Sequence, residues 1–214
     1  SRWGWPEEMH DALERDYNDG LACWWVRSGE PGEVLVSPDT GPHGTRAQRV
    51  QVKSSGRGIM QHTYLPLHRV RRFEYKIFAR SPDLDSLTVS LTPRGKDEPA
   101  GTGRATGLDN DWKMLTGSLK VEADAPADEP YRFSLTADKE GQFVIERILL
   151  LPADHVNRAD PEIIEMLRKS DLPLLRWPGG NFVSGYHWRD GVGPIETRPT
   201  RPNPAWGRPE NNFL

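Results

Sequence analysis

A single cysteine, Cys23, stands in the whole chain, which excludes an internal disulfide and any zinc site built on thiolates. Set in Leu-Ala-Cys-Trp-Trp-Val, it reads as a small buried apolar residue. No run comes near the ~18 apolar residues of a membrane-spanning helix. No basic-then-apolar leader is visible at Ser1, and the compartment stays open. An excess of one charge sign is also missing: 28 Lys+Arg stand against 31 Asp+Glu, a net charge of -3, and the two signs are mixed. That leaves no electrostatic case for nucleic acid or a membrane surface as partner. His10, His43, His62, His68, His155 and His187 show neither HxH nor HExxH spacing, so no metal site is expected. Residues 105–111 (ATGLDND) hold amide and acidic oxygens without the spacing of a calcium loop. The glycine-rich stretches SGRG (55–58) and GTGRATG (101–107) lead into no phosphate-cradling helix, and both read as turns.

What the chain does have is punctuation. Gly 20 and Pro 19 are spread over 214 residues, while hydrophobic residues make up only 36%. An economical core of that kind suits a two-sheet sandwich with polar outer faces. From Gly20 to about Leu151, nine short apolar runs alternate with turn clusters: LACWWVR, EVLVS, RAQRVQV, GIMQHTYLPL, RRFEYKIFARS, SLTVSLTP, WKMLTGSLKV, YRFSLTA and QFVIERILLL. Strands at this spacing predict an all-β sandwich or jelly roll. Within FEYKIFAR, Phe73, Tyr75, Ile77 and Ala79 fall on one face, with Glu74, Lys76 and Phe78 on the other. Leu87, Val89 and Leu91 do the same against Thr88, Ser90 and Thr92. That period of two puts one face in the core and one toward water.

Two segments depart from this rhythm. PEEMHDALERDY predicts a short helix near the N-terminus, with Pro6 in its first turn and Met9 one turn from Leu13. After Pro152, DPEIIEMLRKSD has Asp160 as N-cap, Pro161 at the first helical position, and Arg168 and Lys169 where the helix dipole favours cations. Ile163, Ile164 and Leu167 form its apolar stripe. LPLLRWPGG then reads as a short buried strand, Leu174–Trp177, ending in a sharp turn. Helix, loop and strand in that order is the rhythm of an α/β barrel. The tail IETRPTRPNPAWGRPENNFL is proline-rich, lacks a hydrophobic period and reads as a long loop. The divisions are thus 1–19, an N-terminal segment; 20–152, the sandwich; and 153–214, the start of the α/β unit.

The carboxyl edge of a parallel strand opens onto the ligand site in α/β folds. Arg176, Trp177, Gly179, Gly180 and Asn181 occupy that edge. Glycine lets backbone approach a ligand, and asparagine offers a donor and an acceptor to hydroxyls. Trp177, Tyr186, Trp188 and Trp206 add flat apolar faces, and such a mixture suits a sugar. The bland alternative makes these tryptophans barrel core and the glycines an ordinary turn.

LRWPGGNFVSGYHWRDGVGP, followed by RPTRPNPAWGRPENNF, resembles the signature of the retaining α-L-arabinofuranosidases of glycoside hydrolase family 51, over a span from about Pro152 to Leu214. The resemblance implies a (β/α)8 barrel, here incomplete, with Asn181, Gly180, Trp177 and Trp206 in the arabinofuranose pocket. His187 departs from the commoner aspartate or asparagine and implies altered rim contacts. The family's catalytic glutamates match no residue of this chain. Glu162, Glu165, Glu196 and Glu210 lie on helix or loop, so no catalytic residue is expected here, and no cofactor. Arabinose-containing polysaccharide is the implied partner, together with the remainder of the barrel and further copies of the chain, since the family is often oligomeric. Residues 20–151 resemble, more weakly, carbohydrate-binding modules of the family 4/9 jelly-roll type, which makes Trp24, Trp25, Gln61, Tyr64 and Trp112 candidate sugar contacts. Competing readings are a non-catalytic carbohydrate-binding module and a structural β-sandwich without sugar affinity.

Overall fold

A computed structural model describes residues 8–22, 25–30, 32–42, 44–176, 180, 183, 186–194, 198, 202–203 and 208–209. The chain begins with a helix, α1 (Glu8–Asn18), followed by ten strands: β1 (Val26–Arg27), β2 (Val34–Thr40), β3 (Arg46–Val52), β4 (Arg57–Thr63), β5 (Arg72–Arg80), β6 (Ser86–Pro93), β7 (Gly101–Thr106), β8 (Lys113–Lys120), β9 (Tyr131–Ala137) and β10 (Gly141–Pro152). They form two five-stranded sheets, ordered β1-β4-β9-β6-β7 and β2-β3-β10-β5-β8. Neighbours pair antiparallel throughout both sheets. The molecule is mainly β, as its turn spacing predicts.

The alternation sets which side chains meet. Phe73, Tyr75, Ile77 and Ala79 from one sheet and Leu87, Val89 and Leu91 from the other are buried, and all seven belong to one core cluster with Tyr131, Phe133, Leu135 and Phe143. Tyr131 is wholly buried, and its hydroxyl donates to the carbonyl of Pro126 at 2.6 Å, which satisfies its polar end.

Strand β7 corrects the sequence reading, which placed residues 101–107 in a turn. Only Gly101 and Ala105 are buried on it, so the stretch lacks the apolar run that marks a strand. Its glycines answer a steric demand instead. A Cβ at Gly101 would lie 2.7 Å from the Lys120 carbonyl oxygen, and one at Gly103 would lie 3.0 Å from the Tyr75 ring. Glycine here marks close approach to the opposite sheet.

Helix α1 is tied to the edge of the first sheet through Asp16. Its carboxylate accepts from the Arg27 backbone N–H at 2.7 Å, from Arg27 Nε at 3.0 Å and Nη2 at 2.7 Å, and from Arg15 Nε at 2.9 Å. Burial pushes this carboxyl up, but the hydrogen bonds from Arg15 and Arg27 outweigh it and hold the group below the usual carboxylate range.

Helix α2 (Pro161–Lys169) follows β10, and Asp160 caps it as expected, accepting from the N–H groups of Glu162 at 2.8 Å and Ile163 at 3.4 Å. The strand expected at Leu174–Trp177 is not formed over its described residues: 172–176 carry no strand, and Leu174 and Leu175 are 80% and 61% exposed. A lone parallel strand has nothing to pair its backbone with, and two apolar faces with nothing to cover them. Trp177 itself lies outside the described residues. The tail also departs from a pure loop, because two-residue strands β11 (Pro202–Asn203) and β12 (Arg208–Pro209) pair antiparallel.

Candidate functional site

A cleft of about 220 Å³ opens at one end of the sandwich, between the two sheets. Trp25 enters it from the residue before β1. Gln61 and Thr63 come from the end of β4, and Tyr64, Leu65 and Pro66 from the loop that follows. Phe133 on β9, Phe73 on β5, and Ile148, Leu150 and Pro152 on β10 close it. Trp25 stands edge-on to Phe133, with ring centroids 6.0 Å apart at 61°, the T-shaped arrangement that aromatic quadrupoles favour. Tyr64 is 60% exposed at the mouth. The result is an aromatic and aliphatic lining with one primary amide, from Gln61, and two hydroxyls, from Thr63 and Tyr64. Its volume lies below the ~300–1,000 Å³ of pockets for drug-sized ligands, which suits a single ring.

Three of the five sandwich residues singled out from sequence, Trp25, Gln61 and Tyr64, are thus brought to one place. Trp112 is not among them. It stacks on Phe78 with centroids 5.4 Å apart at 34°, and the Arg80 guanidinium sits 5.3 Å above its ring. Phe78 and Arg80 belong to the alternate face of β5 that points away from the core, so Trp112 serves a cation–π cluster on the outer sheet surface. Trp24, Trp177, Asn181 and Trp206 lie outside the described residues. Gly180 is described and has φ +69°, a left-handed conformation that glycine adopts without strain. Sequence reasoning missed Phe133 and Thr63. Phe133 faces Gln61 only through the β4–β9 register, a pairing across some 70 residues that leaves no local signal.

The loop after β4 does a second job. Arg69, on that loop, binds Asp154 Oδ2 through Nε at 2.7 Å, Asp160 Oδ2 through Nη2 at 3.0 Å, and Glu162 Oε2 through Nη1 at 3.0 Å. His68 Nε2 lies 2.9 Å from the same Glu162 oxygen. One guanidinium therefore fixes the start of α2 against the loop that carries Tyr64, Leu65 and Pro66. The hydrogen bond to His68, then that to Arg69, hold the Glu162 carboxyl below its ordinary range. A group kept ionised in this way is unsuited to general-acid work at neutral pH, for which the pKa must rise. Glu165, the other described glutamate of α2, pairs with Lys169 at 3.4 Å. No cluster of three or more His, Cys, Asp or Glu placed to hold a metal ion occurs among the described residues, and none of their helices is long and apolar enough to cross a membrane.

No family model matches the chain. By sequence it is similar to an intracellular exo-α-(1→5)-L-arabinofuranosidase of Halalkalibacterium halodurans, 51% identical over 53 residues, which is 25% of this chain and 11% of that protein. It is also similar to a probable α-L-arabinofuranosidase C of Aspergillus flavus, 46% identical over 61 residues, 28% of this chain and 12% of that protein. The matched stretch thus spans about one ninth of the length of these curated relatives. Among solved structures, the sandwich is similar to a family 22 carbohydrate-binding module of a Clostridium thermocellum xylanase (TM-score 0.44, 20% identity, covering 64% of this chain and 91% of that one). It is also similar to a Clostridium thermocellum xylanase fragment complexed with xylohexaose (TM-score 0.45, 17% identity, 64% and 28%).

Proposed function

We propose that this chain is the N-terminal part of a retaining α-L-arabinofuranosidase that releases terminal non-reducing α-L-arabinofuranosyl groups from arabinan or arabinoxylan. Residues 20–152 are its carbohydrate-binding sandwich, and residues 153–214 begin its (β/α)8 catalytic barrel. The reaction runs by the two-carboxylate scheme, with acid/base and nucleophile ~5–5.5 Å apart, on glutamates outside this chain, and needs no cofactor. Asn181, Gly180, Trp177 and Trp206 contribute to the arabinose pocket in the complete barrel. The observation that carries this reading is the 51% identity over 53 residues to a curated arabinofuranosidase.

A structural feature supports it independently. Ile163, Met166 and Leu167 on α2, with Leu172, Leu174 and Leu175 after it, are 44% to 80% exposed. Exposed apolar side chains gathered over one short stretch of chain mark a surface to be covered, and in this reading the remainder of a barrel covers them. In the sandwich, the Trp25–Tyr64 cleft offers an aromatic platform and the Gln61 amide, which suit one sugar ring with its apolar C–H face and hydroxyl rim.

Two experiments separate the parts of this reading. The coding sequence beyond Leu214 should continue as alternating strands and helices, with an Asn-Glu pair at a strand end, and the longer polypeptide should hydrolyse an aryl α-L-arabinofuranoside with retention. A stop codon or an unrelated domain defeats the enzyme reading. Calorimetric titration of this chain with arabino-oligosaccharides and xylan should show binding that Tyr64→Ala weakens. An unchanged affinity in that variant removes the cleft from the proposal, and no affinity in either protein leaves the sandwich a structural brace.

A further inference from the structure

A second cleft, of about 590 Å³, lies where the end of α1 meets β2, β3 and β10, and its lining shares no residue with the Trp25 cleft. Tyr17, Leu21, Ala22, Pro38, Ala47 and Ile145 are its apolar lining, and Asp39, Arg46, Gln48 and Glu146 its polar lining. The unusual member is Glu146. Against β5 the register jumps from Ile145↔Ala79 to Arg147↔Phe78, so Glu146 is the extra residue of a β-bulge, a device that re-aims a side chain. Its side chain is only 3% exposed, and the cation paired with it among the described residues, Arg147 Nη2, stands 3.5 Å from Oε1. Oε2 has no hydrogen-bond partner among the described residues, and neither has Thr45 Oγ1. Thr45 and Glu146 both crowd Gly41, where a Cβ would lie 2.1 Å from Thr45 Oγ1 and 3.0 Å from Glu146 Cγ. With Arg147 Nη1, which also lacks a partner among the described residues, three unmatched polar atoms are gathered around one bulge.

A buried carboxylate oxygen without a donor is costly and is retained where something else supplies the donor. Two of the other polar groups of the lining, Gln48 and Asp39, are already engaged. Gln48 Oε1 accepts from the Ala22 N–H, and its Nε2 donates to the Ser37 carbonyl. Asp39 pairs with Arg49 and Arg80. The charge balance then decides the class of ligand. With Arg46 in the lining and Arg147, Arg49 and Arg80 beside the two carboxylates, a cation gains little, while an anion meets Glu146 at close range. A neutral ring with an apolar face and O–H donors satisfies Glu146 Oε2 and covers the apolar lining. The volume falls within the ~300–1,000 Å³ typical of ligand pockets.

We infer that this cleft is a second, independent saccharide site, which binds a neutral cyclic polyol through a hydroxyl donated to Glu146. The test is a titration of this chain with L-arabinose, followed by backbone amide resonances. Saturable shifts are expected at Ala22, Gln48 and Ile145. Glu146→Gln, close to isosteric, should weaken them by about tenfold or more. Ala22→Trp, at an exposed position, should block the cleft while leaving the carboxylate in place. The response should survive Tyr64→Ala, which separates it from the Trp25 cleft. Absence of saturable shifts, meaning an ordered water only, overturns the inference. So does an unchanged response in Glu146→Gln, loss of the response in Tyr64→Ala, or a stronger response of the same amides to ethylammonium.

Discussion

Replacing Asp16 with asparagine should destabilise the protein and loosen the Trp25 cleft together, because one carboxylate holds both. Asp16 is fully buried and Arg27 keeps 16% of its side chain exposed. The substitution removes the charge and turns an amide NH2 toward a guanidinium that can only donate. Breaking a buried ion pair costs about 3–5 kcal/mol. Arg27 retains Asp19 as a partner and some water, so the lower end, about 3 kcal/mol, applies here. For a chain of this size each kcal/mol moves Tm by about 2–4 °C, and the expected loss is roughly 6–12 °C. Amide exchange in α1 should rise at the same time. Trp25 directly precedes the two residues of β1, whose hold on β4 is the short register Val26↔Met60 and Arg27↔Ile59, so affinity at the cleft should fall as well. The pH dependence carries a sign. The folded-state pKa of Asp16 is depressed, so its contribution is present above the unfolded value, near 3.9, and is lost as pH falls through the lower folded value. The stability gap between wild type and Asp16→Asn should be constant at neutral pH and close in acid. A Tm within about 2 °C of wild type, with unchanged exchange in α1, refutes the clamp.

Other perturbations probe the core and the junction. Gly117→Ala places a Cβ 2.2 Å from the Tyr75 hydroxyl and 2.4 Å from its Cζ, and overpacking of this kind should cost about 1–3 kcal/mol by denaturant midpoint. Tyr75→Leu in the same chain should recover part of that loss. Arg69→Ala releases Asp154, Asp160 and Glu162 at once and should raise hydrogen exchange in Pro161–Lys169 while strands β5 and β6 keep their protection. The hold on α2 should also weaken in acid, because Asp160 and Glu162 both have depressed pKa values, and their contribution disappears as pH falls through them. Asp160→Ala removes the N-cap acceptor and should cost the helix about 1 kcal/mol, read as lower helical protection with no change in the sandwich.

How much of this was legible beforehand depends on how far each feature reaches along the chain. FEYKIFAR and SLTVSLT declare their faces because the period of two is written in consecutive residues, and Asp160-Pro161 declares a helix start because a cap acts over three. Strand β7 hid because its reason for being glycine-rich, the Tyr75 ring and the Lys120 carbonyl, belongs to strands β5 and β8. The cleft was half visible: Trp25, Gln61 and Tyr64 stand out as residue types, whereas Phe133, Leu150 and Pro152 join them only once β4, β9 and β10 are paired. Glu146 was invisible, since nothing in Val-Ile-Glu-Arg-Ile marks a bulge. The strand expected at Leu174–Trp177 went the other way, with a local pattern that is sound and a structure that does not follow it. Local pattern proposes an element, and only a partner of the right geometry secures it. On the proposed reading, the exposed leucines at 172, 174 and 175 and the exposed Ile163, Met166 and Leu167 of α2 are to be covered by the rest of a barrel. Supplying that segment should convert Leu174 and Leu175 from exposed to protected in an exchange experiment on the longer polypeptide. If they stay as exposed there as in this chain, the barrel reading of residues 153–214 fails on physical grounds, whatever the sequence identity.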